Sequence, residues 1–182
     1  MPLTLLEIID KAVATEGGYT DNPADLGGPT IWGITERVAR KNGFTANMQT
    51  MSRQIAQTIY LREYVQAPGF DRVHAINPLI AAELIDTGIN CGQPTAAMML
   101  QRALNALNGQ GKVYADVPVD GDCGPATITA LRAYLAKRGA LGELVMLRTL
   151  NGLQLEHYIE ISEKRPANEE FTFGWIANRV AI

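Results

Sequence analysis

The pattern of apolar and polar positions opens with a helix. Thr4 is followed three positions later by Glu7, the pair that forms a capping box, and Leu5, Ile9, Ala12 and Val13 then recur at helical spacing. Gly17-Gly18 ends the run, because glycine accepts the left-handed turn past a helix C-terminus, and this places Glu16 on the last turn. From Gly17 to Thr35, five glycines and two prolines in nineteen residues exclude helix. Within that stretch Gly18-Tyr19-Thr20 and Thr30-Ile31-Trp32-Gly33-Ile34-Thr35, rich in aromatic and β-branched residues, predict short strands of a small sheet.

Helical spacing then resumes and holds to the C-terminus. Thr35 caps a helix over 36–42 that Gly43 stops, and 52–65 is amphipathic through Ile55, Ile59 and Leu61. Asn77-Pro78 supplies a cap and a first-turn proline to a helix over 79–90. Pro94-Thr95 and Pro125 open two more, over 96–108 and 126–138, the second closed by Gly139. A long helix over 141–162 and a last one over 169–180 follow, with 108–119 as the clear internal loop. Trp175, after Phe173-Gly174, is the natural plug that docks the last helix. The predicted fold class is α+β, mostly α, with one small sheet beside the end of the first helix.

Composition narrows the classes. At 182 residues, 47% hydrophobic and 19% charged, the chain is that of an ordinary globular protein. A fold of this size buries about 70% of its unfolded surface and needs neither disulfide nor metal. No apolar run approaches the roughly 20 residues of a membrane span. The start lacks a basic n-region, and Glu7 and Asp10 interrupt it, so no secretory signal is predicted. With 16 basic against 19 acidic residues, net charge −3, the basic excess of a nucleic-acid binder is missing.

Other candidate chemistry is sparse. Cys91 and Cys123 each stand alone between small residues and match no metal-ligand spacing; two reduced thiols are expected, a disulfide between them being the alternative. His74 and His157 fall on different predicted elements with no HxxxH or Cys-His spacing and read as structural. Asp120-Gly-Asp122-Cys-Gly124-Pro-Ala-Thr127 has oxygen ligands at alternate positions but lacks the later bidentate glutamate of a calcium loop. It reads as a glycine-dependent turn capping the next helix. Asp86 and Asn90, one helical turn apart, either line a cleft or form a buried hydrogen-bonded pair.

The informative stretch runs from Glu16 to Thr35. A carboxylate at a helix end is followed nine positions later by Asp25 in a sheet turn and five later by Thr30. Cleaving a glycosidic bond needs an acid that protonates the leaving oxygen, and a second group that stabilises the oxocarbenium-like centre or orients water. Glu16 fits the acid, kept protonated by partial burial; placed against the helix dipole, its position is mildly costly and wants a reason. Asp25 fits the ionised partner, with Asp21 its competitor and turn formation the plain alternative. The Thr30 hydroxyl suits holding the attacking water. Tyr19 and Trp32 offer rings for stacking on sugars or for packing the core. Gly28, with glycines 17, 18 and 27, permits positive φ and close approach of a sugar to the backbone, or simply makes turns.

Glu16-Gly-Gly-Tyr, Asp25-Leu-Gly-Gly-Pro-Thr30 and Trp32-Gly-Ile-Thr35 together resemble the N-terminal signature of the glycoside hydrolase family 108 lysozymes, the phage and prophage N-acetylmuramidases. Residues from about Phe70 onward resemble the helical peptidoglycan-binding module that accompanies it, through Glu83-Leu-Ile-Asp-Thr-Gly-Ile-Asn90, Leu100-Gln-Arg-Ala-Leu-Asn105, Asp120-Gly-Asp-Cys-Gly-Pro-Ala-Thr127 and Phe173-Gly-Trp-Ile. The Glu–Asp–Thr arrangement is also similar to that of phage lysozymes whose three catalytic residues lie on a helix end and a hairpin, with Thr30 one residue nearer to Asp25 than in that pattern.

The resemblance implies a lysozyme-like, two-lobed fold: a catalytic lobe over 1–71 and a helical lobe over 72–182, packed as one unit around a substrate groove. Glu16 matches the family's catalytic glutamate. The implied reaction is hydrolysis of the β-1,4 bond between N-acetylmuramic acid and N-acetylglucosamine, without a cofactor. Bacterial peptidoglycan is the implied partner, with no nucleic acid, no membrane insertion and a monomeric enzyme. Without a signal peptide the chain is expected to be made in the bacterial cytoplasm and to reach the wall after release, as an endolysin does through a holin pore. Two other classes stay open: a lytic transglycosylase, which needs one carboxylate, and a non-catalytic wall-binding or secretion-assisting protein.

Overall fold

The computed structural model describes residues 3–15, 18–21 and 28–180. Helices make up 72% of these residues, and they include one antiparallel sheet of two short strands, so the fold is α+β and mostly α. The chain divides into two compact units, Met1–Ala67 and Pro68–Ile182.

In the first unit, α1 (Leu5–Thr15) begins with the capping box: the Thr4 backbone N–H and hydroxyl both donate to Glu7 Oε2 at 2.7 Å, and the Glu7 N–H donates back to Thr4 Oγ1 at 3.2 Å. Ile8, Ile9 and Val13 are buried while Leu6 faces out, as the helical period requires. α1 packs on α3 (Arg53–Tyr60), where Asp10 receives hydrogen bonds from Arg53 and Gln57. α2 (Glu36–Lys41) is capped by the Thr35 hydroxyl, and α3 by that of Ser52. The predicted helix over 52–65 departs from expectation at Leu61, where α3 widens into a π-helical segment, Leu61–Gln66.

The predicted strand 30–35 is a hairpin. β1 (Thr30–Ile31) pairs with β2 (Ile34–Thr35), Thr30 opposite Thr35 and Ile31 opposite Ile34. Trp32 and Gly33 between them both have positive φ, 55° and 71°, the backbone a tight type I′ turn demands. Glycine adopts it freely, whereas Trp32 is held there by its indole N–H on the Met51 carbonyl at 2.9 Å. The other predicted strand contributes one bridge, Thr20 to Thr30.

The second unit is helical. α4 (Phe70–His74), not predicted, follows the left-handed Gly69. α5 (Pro78–Cys91) starts at the predicted Asn77 cap, whose side chain accepts from the Ile80 N–H at 2.9 Å. α6 (Gln93–Leu107) leads through the loop to α7 (Pro125–Lys164). α7 breaks at Gly139 (φ 58°, ψ −148°), and Tyr134 bridges the break by donating its hydroxyl to the Gly142 carbonyl at 2.9 Å. α8 (Glu169–Arg179) docks on α7 through Trp175, whose ring lies 5.4 Å from that of buried Tyr158.

The Asp120–Thr127 motif is a turn wired to one buried side chain. Gln101 of α6 donates to Asp120 Oδ1 at 2.7 Å, to the Asp122 carbonyl at 2.9 Å and to Thr127 Oγ1 at 3.2 Å, and accepts from the Gly121 N–H at 3.0 Å. The Asp122 N–H, donated to Asp120, holds that carboxyl below its ordinary range. Both thiols are free; burial pushes Cys123 up to about 12 and raises Cys91.

Candidate functional site

The hairpin organises the predicted site residues of the first unit. Antiparallel bonds of 2.8 Å in both directions tie Thr30 to Thr20, one residue after Tyr19. The Thr30 hydroxyl donates to the Gly28 carbonyl at 3.2 Å, so its proton is committed while its oxygen lone pairs remain acceptors. Gly28 has φ +73°, and the Glu36 carboxylate sits 3.5 Å from where a Cβ on Gly28 would lie. The Glu36 N–H bonds the Pro29 carbonyl at 2.8 Å, fastening the start of α2 to the loop before β1.

Tyr19 donates its hydroxyl to Asp21 Oδ2 at 3.2 Å. Desolvation, then the Asp21 charge, raises the phenol above its ordinary value, so it remains a donor across the neutral range. Tyr19 is 38% exposed, whereas Trp32 is half-buried with its N–H engaged. Gly28, Thr30 and Trp32 therefore lie along one hairpin, and Tyr19 neighbours it through the Thr20–Thr30 bridge. Glu16 and Asp25 lie outside the described residues.

Asp86 and Asn90 belong to the second unit. Asn90 donates to the Asp86 carbonyl at 2.8 Å, one turn back along α5, and the Asp86 carboxylate pairs with Arg179 of α8 at 3.2 Å. The Asp86–Arg179 pair thus fastens α5 to α8, whereas Asn90 is exposed and its bond stays within α5, so the two do not form a buried side-chain pair. His74 and His157 stand on α4 and α7.

Two features escaped the sequence reading. Glu83 on α5 turns into the seam with α7, where burial, opposed by a hydrogen bond from Asn151, raises its carboxyl to about 7. Its Oε1 is buried without a hydrogen-bond partner. The sequence signal was a lone acid inside the apolar run from Leu79 to Ile85. The second feature is a cavity of about 230 Å³ in the first unit, lined by Asn42, Gly43, Phe44, Ile55, Thr58, Ile59 and Arg62. The exposed Ile55 and the cation at 62 in an amphipathic helix gave no more than a hint of it.

Comparison with known proteins places this geometry. Residues 9–92 match the family described as Glycosyl hydrolase 108, and residues 95–180 match the Predicted Peptidoglycan domain. Ten solved chains are similar; one, the structure of Brucella abortus SagA, has a TM-score of 0.68 at 22% identity, covering 95% of this chain and 87% of that one. Among curated proteins nothing matches. The chain thus matches a glycosyl hydrolase 108 domain followed by a predicted peptidoglycan domain, and it shares its fold with the SagA structure. The hydrolase match over residues 9–92 indicates a glycoside hydrolase.

Proposed function

We propose that the protein is a lysozyme-type N-acetylmuramidase that hydrolyses the β-1,4 bond between N-acetylmuramic acid and N-acetylglucosamine in peptidoglycan. Glu16, which follows α1 directly in sequence, is the general acid that protonates the glycosidic oxygen. Asp25 is the second carboxylate, the group that stabilises the developing positive charge at the sugar carbon. Thr30 holds the water. Tyr19 and Trp32 border the sugar, and Gly28 keeps the loop free of a side chain where the glycan passes.

The observation that carries this reading is the state of the Thr30 hydroxyl, half-buried on the hairpin with its proton given to the Gly28 carbonyl. Such an oxygen accepts a hydrogen bond from water and thereby aims a water lone pair away from itself. The matches to a glycosyl hydrolase family and a peptidoglycan domain support the substrate class. Among the described residues no helix is long and apolar enough to cross a membrane. In our reading the enzyme meets the wall after release from the cytoplasm, in the manner of an endolysin.

The test is turbidity clearing of purified peptidoglycan. Wild type should clear it and Glu16→Gln should lose at least 100-fold in rate, the scale of a lost general acid, with an unchanged melting temperature. Thr30→Val should also slow clearing while leaving the wall bound. Full clearing by Glu16→Gln would remove the assignment.

A further inference from the structure

We propose that the cavity beside α3 is a binding site for the carboxylate terminus of the peptidoglycan stem peptide, with Arg62 as its anion anchor. The proposal rests on the peptidoglycan substrate argued above and adds to it the peptide part of that substrate.

The walls come from two segments that are separately pinned. Arg40 donates to the Phe44 and Ala46 carbonyls, each at 2.7 Å, and so fixes the loop that carries Phe44. Asn42, at the end of α2, donates to the Val38 carbonyl at 3.0 Å and to Glu63 Oε1 at 3.1 Å. The opposite wall is α3, with Ile59 buried and Ile55 38% exposed. The floor is therefore apolar and the rim polar.

The charge at the rim is selective. Glu63 is occupied by Lys41 at 2.7 Å as well as by Asn42, and these bonds hold its carboxyl below the ordinary range. Arg62, next to it, adds its charge to the lowering of the Glu63 carboxyl, but among the described residues its hydrogen-bond partner is only the Asn42 amide oxygen, at 3.5 Å. Most of a guanidinium's five donors are thus available, in the planar fork that matches a carboxylate. Arg62 also sits on the π-helical segment Leu61–Gln66, closed by the Ala67 N–H on the Arg62 carbonyl at 2.9 Å. Such widened turns recur at functional sites.

Size selects the occupant. At about 230 Å³ the cavity is smaller than the roughly 300–1,000 Å³ that encloses a drug-sized ligand, too small for a disaccharide. It suits a chain end with a small alkyl side chain and a carboxylate: the methyl against Phe44 and Ile59, the carboxylate on Arg62. Within peptidoglycan, a stem peptide ending in D-alanine has that chemistry. A local cation also gives this protein, net −3, a foothold on an anionic polymer.

The test uses the full-length protein and two synthetic probes, the free stem tetrapeptide ending in D-alanine and the same peptide with a C-terminal amide, titrated by nuclear magnetic resonance. The acid should shift signals of Phe44, Ile55 and Ile59, the amide should bind at least tenfold more weakly, and Arg62→Gln should abolish the preference while Arg62→Lys restores part of it. Equal binding of acid and amide, or an acid preference that survives Arg62→Gln, overturns the proposal. Activity on glycan strands stripped of peptide by an amidase separates it from the muramidase reading. Arg62→Gln should raise the KM for intact walls about tenfold and leave hydrolysis of stripped strands unchanged, whereas a wild type inert on stripped strands counts against the muramidase reading alone.

Discussion

Glu83 shows how one side chain acquires a property that its sequence neighbours do not announce. Its carboxyl has an ordinary value of 4.5 and stands at about 7 in the fold, chiefly because burial against α7 disfavours the charge. The folded chain therefore keeps a proton that the unfolded chain releases between those values, so stability is full below pH 4.5 and is lost as pH rises through about 7. The span corresponds to up to about 3 kcal/mol. Glu83→Gln should then match wild type in urea melts at pH 4.5 and exceed it at pH 8; an equal difference at both values would refute the assignment. Gln101 is the opposite case, a buried polar group with its donors and acceptor satisfied. Gln101→Leu strips partners from the Asp120–Thr127 turn and should cost about 2–4 kcal/mol in the same melts.

Elements show what a single sequence conveys. Helix starts were legible because caps are local: Thr4 with Glu7, Thr35, and Asn77 before Pro78 are all seated as read. The break at Gly139 was legible for the same reason, with φ 58° and ψ −148° that a residue with a Cβ avoids. Gly139→Ala should cost about 1–3 kcal/mol in chemical denaturation. Gly152→Ala, in the same helix on the exposed face with open space around it, should instead stabilise by about 0.5–1 kcal/mol. The hairpin was read as one strand because its turn needs a tryptophan at positive φ, which propensity does not anticipate and the Met51 carbonyl makes possible. The π-helical widening after Tyr60 and the short α4 likewise depend on packing rather than on period.

At the scale of the molecule, residues 9–92 match a glycosyl hydrolase domain and residues 95–180 a predicted peptidoglycan domain. The sequence motifs named Thr30, Tyr19, Gly28 and Trp32 as candidates, and the fold sets these four on or beside one hairpin. Arg62 and Glu83 stayed hidden, since an anion pocket and a raised carboxyl arise only when the 42–44 loop meets α3 and when α5 meets α7. The most direct measurement of the central claim is mass spectrometry of purified peptidoglycan digested by wild type and by Glu16→Gln. The account predicts muropeptides with reducing N-acetylmuramic acid ends from wild type and none from the variant. Anhydromuramic ends, or the same products from both proteins, would contradict it.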